Sequence, residues 1–158
     1  MLLTFSNLTE RDWAEVGAGV CVQMQGAPDF RDPDRSRTFY LTAEGLHSME
    51  GPVHESGGGM CLFFGSGRDG RPVATAPFIC VEAVDGKHAL GTWWEGAEGC
   101  GGNCHPSTQC IHSNPTFGTI RASESVTRRG MLYLMPGTAR DAYERFIGDW
   151  QAKDAETE

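Results

Sequence analysis

Twenty-one glycines, most of them in turn-forming company, cut this chain into short runs and leave little room for long helices. Gly51-Pro52, Gly57-Gly58-Gly59, Asp69-Gly70, Asp85-Gly86 and Pro136-Gly137 all carry turn or loop chemistry. Between these breaks the apolar residues come in short stretches rich in β-branched and aromatic side chains, the signature of strands. The pattern predicts strands at Leu2 to Phe5, Val20 to Met24 (with Val20, Val22 and Met24 alternating), Thr38 to Thr42 and Met60 to Phe64. It predicts further strands at Val73 to Val84, His88 to Trp94, Phe117 to Val126 and Met131 to Met135. Pro77 lacks an amide donor and so marks an edge or bulge within its run. Met60 to Trp94 reads as a three-stranded meander, and the last two strands join near Arg129-Gly130. A short helix after Thr9, stopped at Gly17, and a long surface loop from Gln25 to Arg37 complete the N-terminal half.

One helix is written plainly. Pro136-Gly137 ends the last strand, Thr138 suits the cap, and Asp141 stands three residues on, a capping-box spacing. Ala139, Ala142, Tyr143, Phe146, Ile147 and Trp150 then form one apolar stripe, which predicts a helix over about 139–152 packed on a sheet. The expected fold is mostly β (α+β): an antiparallel sandwich, jelly roll or barrel of about eight strands closed by a C-terminal amphipathic helix. At 158 residues, with no long linker and no repeat, residues 1–153 are expected to be a single β-rich domain and 154–158 a disordered tail.

The formal net charge of −8 disfavours general nucleic-acid binding, because a field of that sign repels phosphate. No run approaches the ~20 apolar residues of a membrane span. The N-terminus has neither the basic region nor the apolar core of a signal peptide, so a cytoplasmic, reducing setting is expected. There, the six cysteines are expected to be thiols or metal ligands rather than disulfides.

The cysteines divide into two groups. Cys21, Cys61 and Cys80 lie within apolar runs, whereas Cys100, Cys104 and Cys110 crowd into the polar, Gly-rich stretch from Cys100 to His112. Thiolate and imidazole are the donors zinc prefers, and four of them around one ion make a closed structural site. The expected metal ligands are therefore Cys100, Cys104, Cys110 and His112, with His105 competing for the fourth place. Gly101 and Gly102 would let the backbone curl into a knuckle. A segment with so few apolar side chains would take its order from the metal, since binding free energy is folding free energy in such sites. An iron–sulfur cluster would need a fourth cysteine from Cys21, Cys61 or Cys80. Free thiols, or a Cys100–Cys110 disulfide in an oxidising setting, are the alternatives without metal.

Other constellations are thinner. His47, Glu50, His54 and Glu55 form a second polar group, but a cupin-type site needs a His-x-His pair that the chain lacks. Adjacent Cys104 and His105 side chains diverge, which weakens a nucleophile pair. Trp93-Trp94 should send one ring to the core and one to the surface, where it would cover the base of the Cys loop or anchor a partner. There is no phosphate-binding Gly-x₄-Gly-Lys-Ser/Thr and no Gly-x-Ser-x-Gly elbow. The expectation is thus a non-enzymatic binding or assembly module with a structural zinc knuckle and a protein partner or self-assembly. The alternatives are a small metalloenzyme using His47, His54 or His88, and an extracytoplasmic disulfide-stabilised binding protein.

Overall fold

Residues that alternate between two buried environments decide the layering. The computed structural model describes residues 1–50, 60–63, 72–105 and 108–155, and for 60–63, 103–105, 108 and 153–155 it describes the backbone alone. Eleven strands occur among these residues: β1 (Leu2–Ser6), β2 (Trp13–Gly17), β3 (Cys21–Gln23), β4 (Thr38–Thr42), β5 (Gly45–Ser48), β6 (Met60–Phe63), β7 (Ile79–Glu82), β8 (His88–Trp94), β9 (Ala97–His105), β10 (Thr108–Ile120) and β11 (Ser125–Pro136). They form a six-stranded sheet in the order β1-β11-β8-β7-β4-β5 and a second sheet in the order β2-β10-β9-β6, with β3 paired to β10. All the pairings are antiparallel. The result is a sandwich, not a closed barrel, with helix α1 (Ala139–Ala155) laid on the outside of the six-stranded sheet.

Ile79, Val81 and Leu90 pack with Tyr40, Met49, Cys100 and Ile111 between the sheets. Their strand neighbours Cys80, Ala89 and Trp93 pack on the other side with Phe78, Tyr133, Ala142 and Phe146, under the helix. β7 and β8 are therefore covered on both faces, which explains why they read as continuous apolar runs rather than as alternation. The two tryptophans follow the same rule. Trp93 is fully buried on the helix side, and its indole N–H donates to the Tyr133 hydroxyl at 2.6 Å. Trp94 is buried as well, so the expected exposed ring is absent. It lies over Gly130, which belongs inside β11 and not at a turn.

α1 begins as expected and runs on to Ala155. Thr138 donates to Asp141 Oδ2 from both its amide (2.7 Å) and its hydroxyl (2.8 Å), and Glu82 of β7 accepts the Ala139 amide at 2.6 Å. Ala139, Ala142 and Phe146 are buried, while Tyr143, Ile147 and Trp150 are half-buried, so the stripe contributes below the full ~1.5–3 kcal/mol per large side chain. The helix is not long and apolar enough to cross a membrane.

Several expectations are corrected. Trp13–Gly17 is an edge strand on β10, not a helix, because a helix of about two turns is too short to stand without tertiary support. Thr9 instead closes a turn on Asn7 Oδ1, donating from amide and hydroxyl at 3.0 and 2.7 Å. The Val73 to Val84 run becomes a strand only after Pro77. The Met60 to Trp94 meander does not form: β6 joins the second sheet through β9, and only the β7–β8 hairpin survives. The last two strands are joined at residues 121–124, with Ser123 at φ 62°, where the chain crosses from one sheet to the other, and not at Arg129-Gly130. The segment from Gln25 to Arg37 is not merely surface loop, since Asp32 and Arg35 are buried there. The loop signals at Gly51-Pro52, Gly57 to Gly59 and Asp69-Gly70 lie outside the described residues, as do residues 156–158 of the expected tail; 154–155 belong to the helix.

A Cβ on Gly130 would sit 2.2 Å from the Trp94 ring, so Gly130→Ala is expected to cost about 1–3 kcal/mol, read as a lower urea midpoint at unchanged slope. Gly148→Ala, where the methyl meets nothing within 4 Å, should raise stability by about 0.5–1 kcal/mol in the same experiment. The amide and hydroxyl of Thr138 hold the Asp141 carboxyl below its ordinary 3.8. Its contribution is therefore present above that pH and is lost as pH falls through the lower, folded-state value. Asp141→Asn should lower the melting temperature at neutral pH, and the gap to the parent should close in acid.

Candidate metal centre

The stretch from Cys100 to His112, expected as a Gly-rich loop, is instead the paired arms of a hairpin, β9 and β10. Backbone ladder bonds hold it, and glycine is what lets the arms close. A Cβ on Gly102 would lie 2.7 Å from the Cys110 carbonyl oxygen, so this position takes glycine because of close backbone approach rather than for a knuckle.

Register then sorts the candidate ligands. Cys110 and His112 are two apart on β10 and share a face, while Ile111 between them points into the core between the sheets. Cys100 pairs with Ser113 and is 1% exposed in that same core. Cys100 therefore does not join Cys110 and His112. Burial pushes its thiol up to about 12, so it stays protonated and inert. Cys80, under the helix, is likewise pushed up by burial. The backbone of Cys104 stands opposite Gln109, and that of His105 opposite Thr108. The Cys100–Cys110 disulfide does not form, since Cys100 is a thiol.

The residue that does join is Cys21. On β3, Cys21 pairs directly with His112, Val22 with Ile111 and Gln23 with Cys110. Among the described residues, Cys21, Cys110 and His112 are the group whose ligand atoms converge, all lying within 4.8 Å of one another. Cys110 is buried, His112 half-buried and Cys21 exposed. Cys110 Sγ lies 2.9 Å from His112 Nε2. At zinc–sulfur and zinc–nitrogen lengths, tetrahedral ligands stand about 3.8 Å (S to S) and about 3.6 Å (S to N) apart. To reach those spacings the Cys110–His112 pair would have to open from 2.9 Å.

Asn114 orients the site. Its side chain hydrogen-bonds the His112 imidazole, and its Oδ1 accepts the Val20 amide at 2.9 Å, directly before Cys21. Burial lowers the His112 pKa and Asn114 opposes that shift, so the ring is neutral at pH 7, the form that ligates metal. On the core side, Gln109 Oε1 accepts the Asp32 amide at 2.7 Å, and the Gln109 carbonyl accepts the Met24 amide at 3.0 Å. These bonds fasten the chain after β3 to β10.

The other histidines are elsewhere. His47 lies half-buried on β5 with its ring edge-on to Tyr40 at 5.6 Å, and His88 is exposed at the start of β8. Neither enters a convergent group among the described residues. His54 and Glu55 lie outside them. In the sequence Cys21 was one of three cysteines able to complete an iron–sulfur set, on the Gln23 side of the Val20–Val22–Met24 alternation; nothing local tied that side to β10.

No protein-family model matches the chain, and neither a curated protein nor a solved structure matches it.

Thiol chemistry checks the placement. Iodoacetamide applied to the native, metal-free protein should alkylate Cys21 rapidly and reach Cys80 and Cys100 only after unfolding, as mapped by peptide mass. Rapid native labelling of Cys100 would contradict its core position.

Proposed function

We propose that this chain is a non-enzymatic binding or assembly module whose second sheet carries a structural zinc ion held by Cys21, Cys110 and His112. The observation that carries this reading is the convergence of two sulfurs and one imidazole nitrogen within 4.8 Å across the β3–β10 pairing. Two thiolates and an imidazole are soft and borderline donors, which favour zinc over magnesium or calcium.

The site has mechanical sense. β3 is three residues long and sits at a sheet edge, so its own ladder bonds hold it weakly. A cation joining Cys21 to Cys110 and His112 staples β3 to the long strand, and metal affinity becomes stability of that edge. The staple also steadies the following segment, whose Met24 and Asp32 lean on Gln109. The role proposed for the stapled edge is contact with a protein partner or with a second copy. Zinc thus keeps the function that the sequence suggested for it, with Cys21 taking the place of Cys100.

Elemental analysis of protein purified without added metal or chelator tests this. About one zinc per chain is expected, as for a single tetrahedral site. Cys110→Ser and His112→Ala should lose the metal and lower the melting temperature by several degrees, while Cys100→Ser should keep it. A metal-free parent protein, unable to take up zinc on addition, would end the reading.

A further inference from the structure

Independently of the metal reading and using none of its residues, we infer that the chain pairs with a second copy of itself along the free edge of β11. The seam is Met131 to Met135, antiparallel, with a two-fold axis at Tyr133. β1 covers β11 only from Ser125 to Arg129, and beyond Met1, among the described residues, no strand lies on that side. Gly130 shows which groups this leaves. Its carbonyl accepts the Met1 terminal ammonium at 2.7 Å and its amide donates to the Met1 carbonyl at 3.0 Å, so its polar groups point to the β1 side. The Thr92 hydroxyl reaches the Met131 carbonyl from β8, on the opposite side. With a period of two, the amides and carbonyls of Leu132 and Leu134 point the same way as those of Gly130, out from the edge. Their side chains are open too. Leu134 stands opposite Leu90, a residue of the core between the sheets, so Leu132 and Leu134 share that inner face. Yet Leu132 is 45% and Leu134 70% exposed, because the second sheet stops short of this end of β11.

What fits this edge is the edge itself. The run reads Met-Leu-Tyr-Leu-Met, the same in both directions. A two-fold at Tyr133 sets Leu132 against Leu134 of the second copy and Met131 against Met135 of the second copy, so every cross-strand pair joins like to like. The hydrogen-bonding groups match as well. Leu132 and Leu134 both turn amide and carbonyl outward, so each amide finds a carbonyl across the axis. A slip of one residue would set Leu132 against Met135 of the second copy, whose polar groups are turned toward β8. In the matched register the exposed leucines of both copies meet on one face and leave water together. The segment also lacks what usually guards an edge. It has no charge, proline or bulge, whereas the edge strand β2 has register shifts and Glu15 at φ 52°. Each copy carries a net charge of −8, so an uncharged seam is where two can approach. At either end Pro136 of one copy reaches Met1 of the other, so closing the pair displaces the Met1 contacts and limits the seam to Met131–Met135. A seam this short makes a reversible dimer, not an obligate one. The two-fold closes on itself, so both edges are used up and no fibre follows.

Analytical ultracentrifugation of the full chain across a wide concentration range reads the association. A reversible monomer–dimer equilibrium is expected, strengthened by added salt as it screens the repulsion between like-charged copies. Leu134→Lys puts a charge on the seam at a site already open to water. It should weaken the dimer by at least about tenfold and leave the melting temperature of the monomer unchanged. Leu8→Lys, on a residue 90% exposed beyond the far end of β1, should leave the dimer intact. Register is read by mixing Leu132→Cys with Leu134→Cys protein under mild oxidation. The 132–134 cross-link, identified by peptide mass, should exceed the 132–132 and 134–134 cross-links. A chain that stays monomeric at every concentration and salt overturns the inference, as does a dimer that Leu134→Lys leaves unchanged. A dominant 134–134 cross-link overturns the axis at Tyr133 and with it the inference as stated. Loss of the dimer in Cys110→Ser but not in Leu134→Lys moves the contact to the β3 edge, which overturns the β11 pairing and leaves the metal reading standing. The expected pattern is the reverse, a dimer kept in Cys110→Ser and lost in Leu134→Lys.

Discussion

The backbone ladder along β10 is the constraint on which the rest of the molecule hangs. This one strand pairs with β9 on one side, and on the other with β3 over its first half and β2 over its second. Its period of two then assigns every side chain to a task. Gln109, Ile111, Ser113, Pro115 and Phe117 are buried. Ile111 enters the core between the sheets, Ser113 Oγ accepts the Trp94 amide at 3.1 Å, and Phe117 meets Phe5 edge-on at 4.8 Å. Cys110 and His112 are left for the other face. A slip of one residue would send Cys110 and His112 into the core and Ile111 to the surface, so core burial of Ile111 is what holds the candidate metal ligands in register.

The converging donors Cys110 and His112 and the core contacts of Ile111 are thus two faces of a single strand. Rigidity comes from the core face, where apolar contacts and buried polar bonds from Gln109 and Ser113 leave β10 little freedom. Chemistry sits on the other face, at the junction with the weakest strand of the sheet. A donor set spread over a rigid strand and a marginal one is the arrangement in which a bound ion would couple to the order of the weaker strand. The helix contributes at a distance. By covering the far side of the six-stranded sheet it lets β7 and β8 bury both faces, and so supplies the apolar floor on which the second sheet rests.

Local signals made much of the framework legible. The cap at Thr138 and Asp141, the stripe from Ala139 to Trp150, the β7–β8 hairpin at Asp85-Gly86 and the bounds of Thr38–Thr42 and His88–Trp94 are all determined by neighbours in sequence, and each appears as expected. The misreadings share one cause. Trp13–Gly17, Gly45–Ser48 and Ala97–His105 lack strong local strand character, and each is a strand because a partner's ladder completes it. Glycine misled twice. At Gly102 it marks close approach of two backbones, and at Gly130 it makes room for Trp94, where a turn was the natural reading of either. In the converging group, Cys110 and His112 stood out in the sequence by their chemistry and spacing. Cys21 was not, because its nearness to them depends on pairing between segments almost ninety residues apart in the chain.

By itself, the sequence determined the fold class, the terminal helix and its cap, and the presence of sulfur and imidazole donors two residues apart. These depend on periodicity, turn chemistry and composition, all of which act over a few neighbouring residues. Only the tertiary structure decided which sulfurs face which way. Cys100 and Cys110 look equivalent in a crowded polar stretch, yet strand register places one between the sheets and the other on the opposite face of the second sheet, where it meets Cys21. Side-chain direction in a sheet is set by pairing, and pairing is settled by the burial of a whole face at once, which no short window of sequence contains.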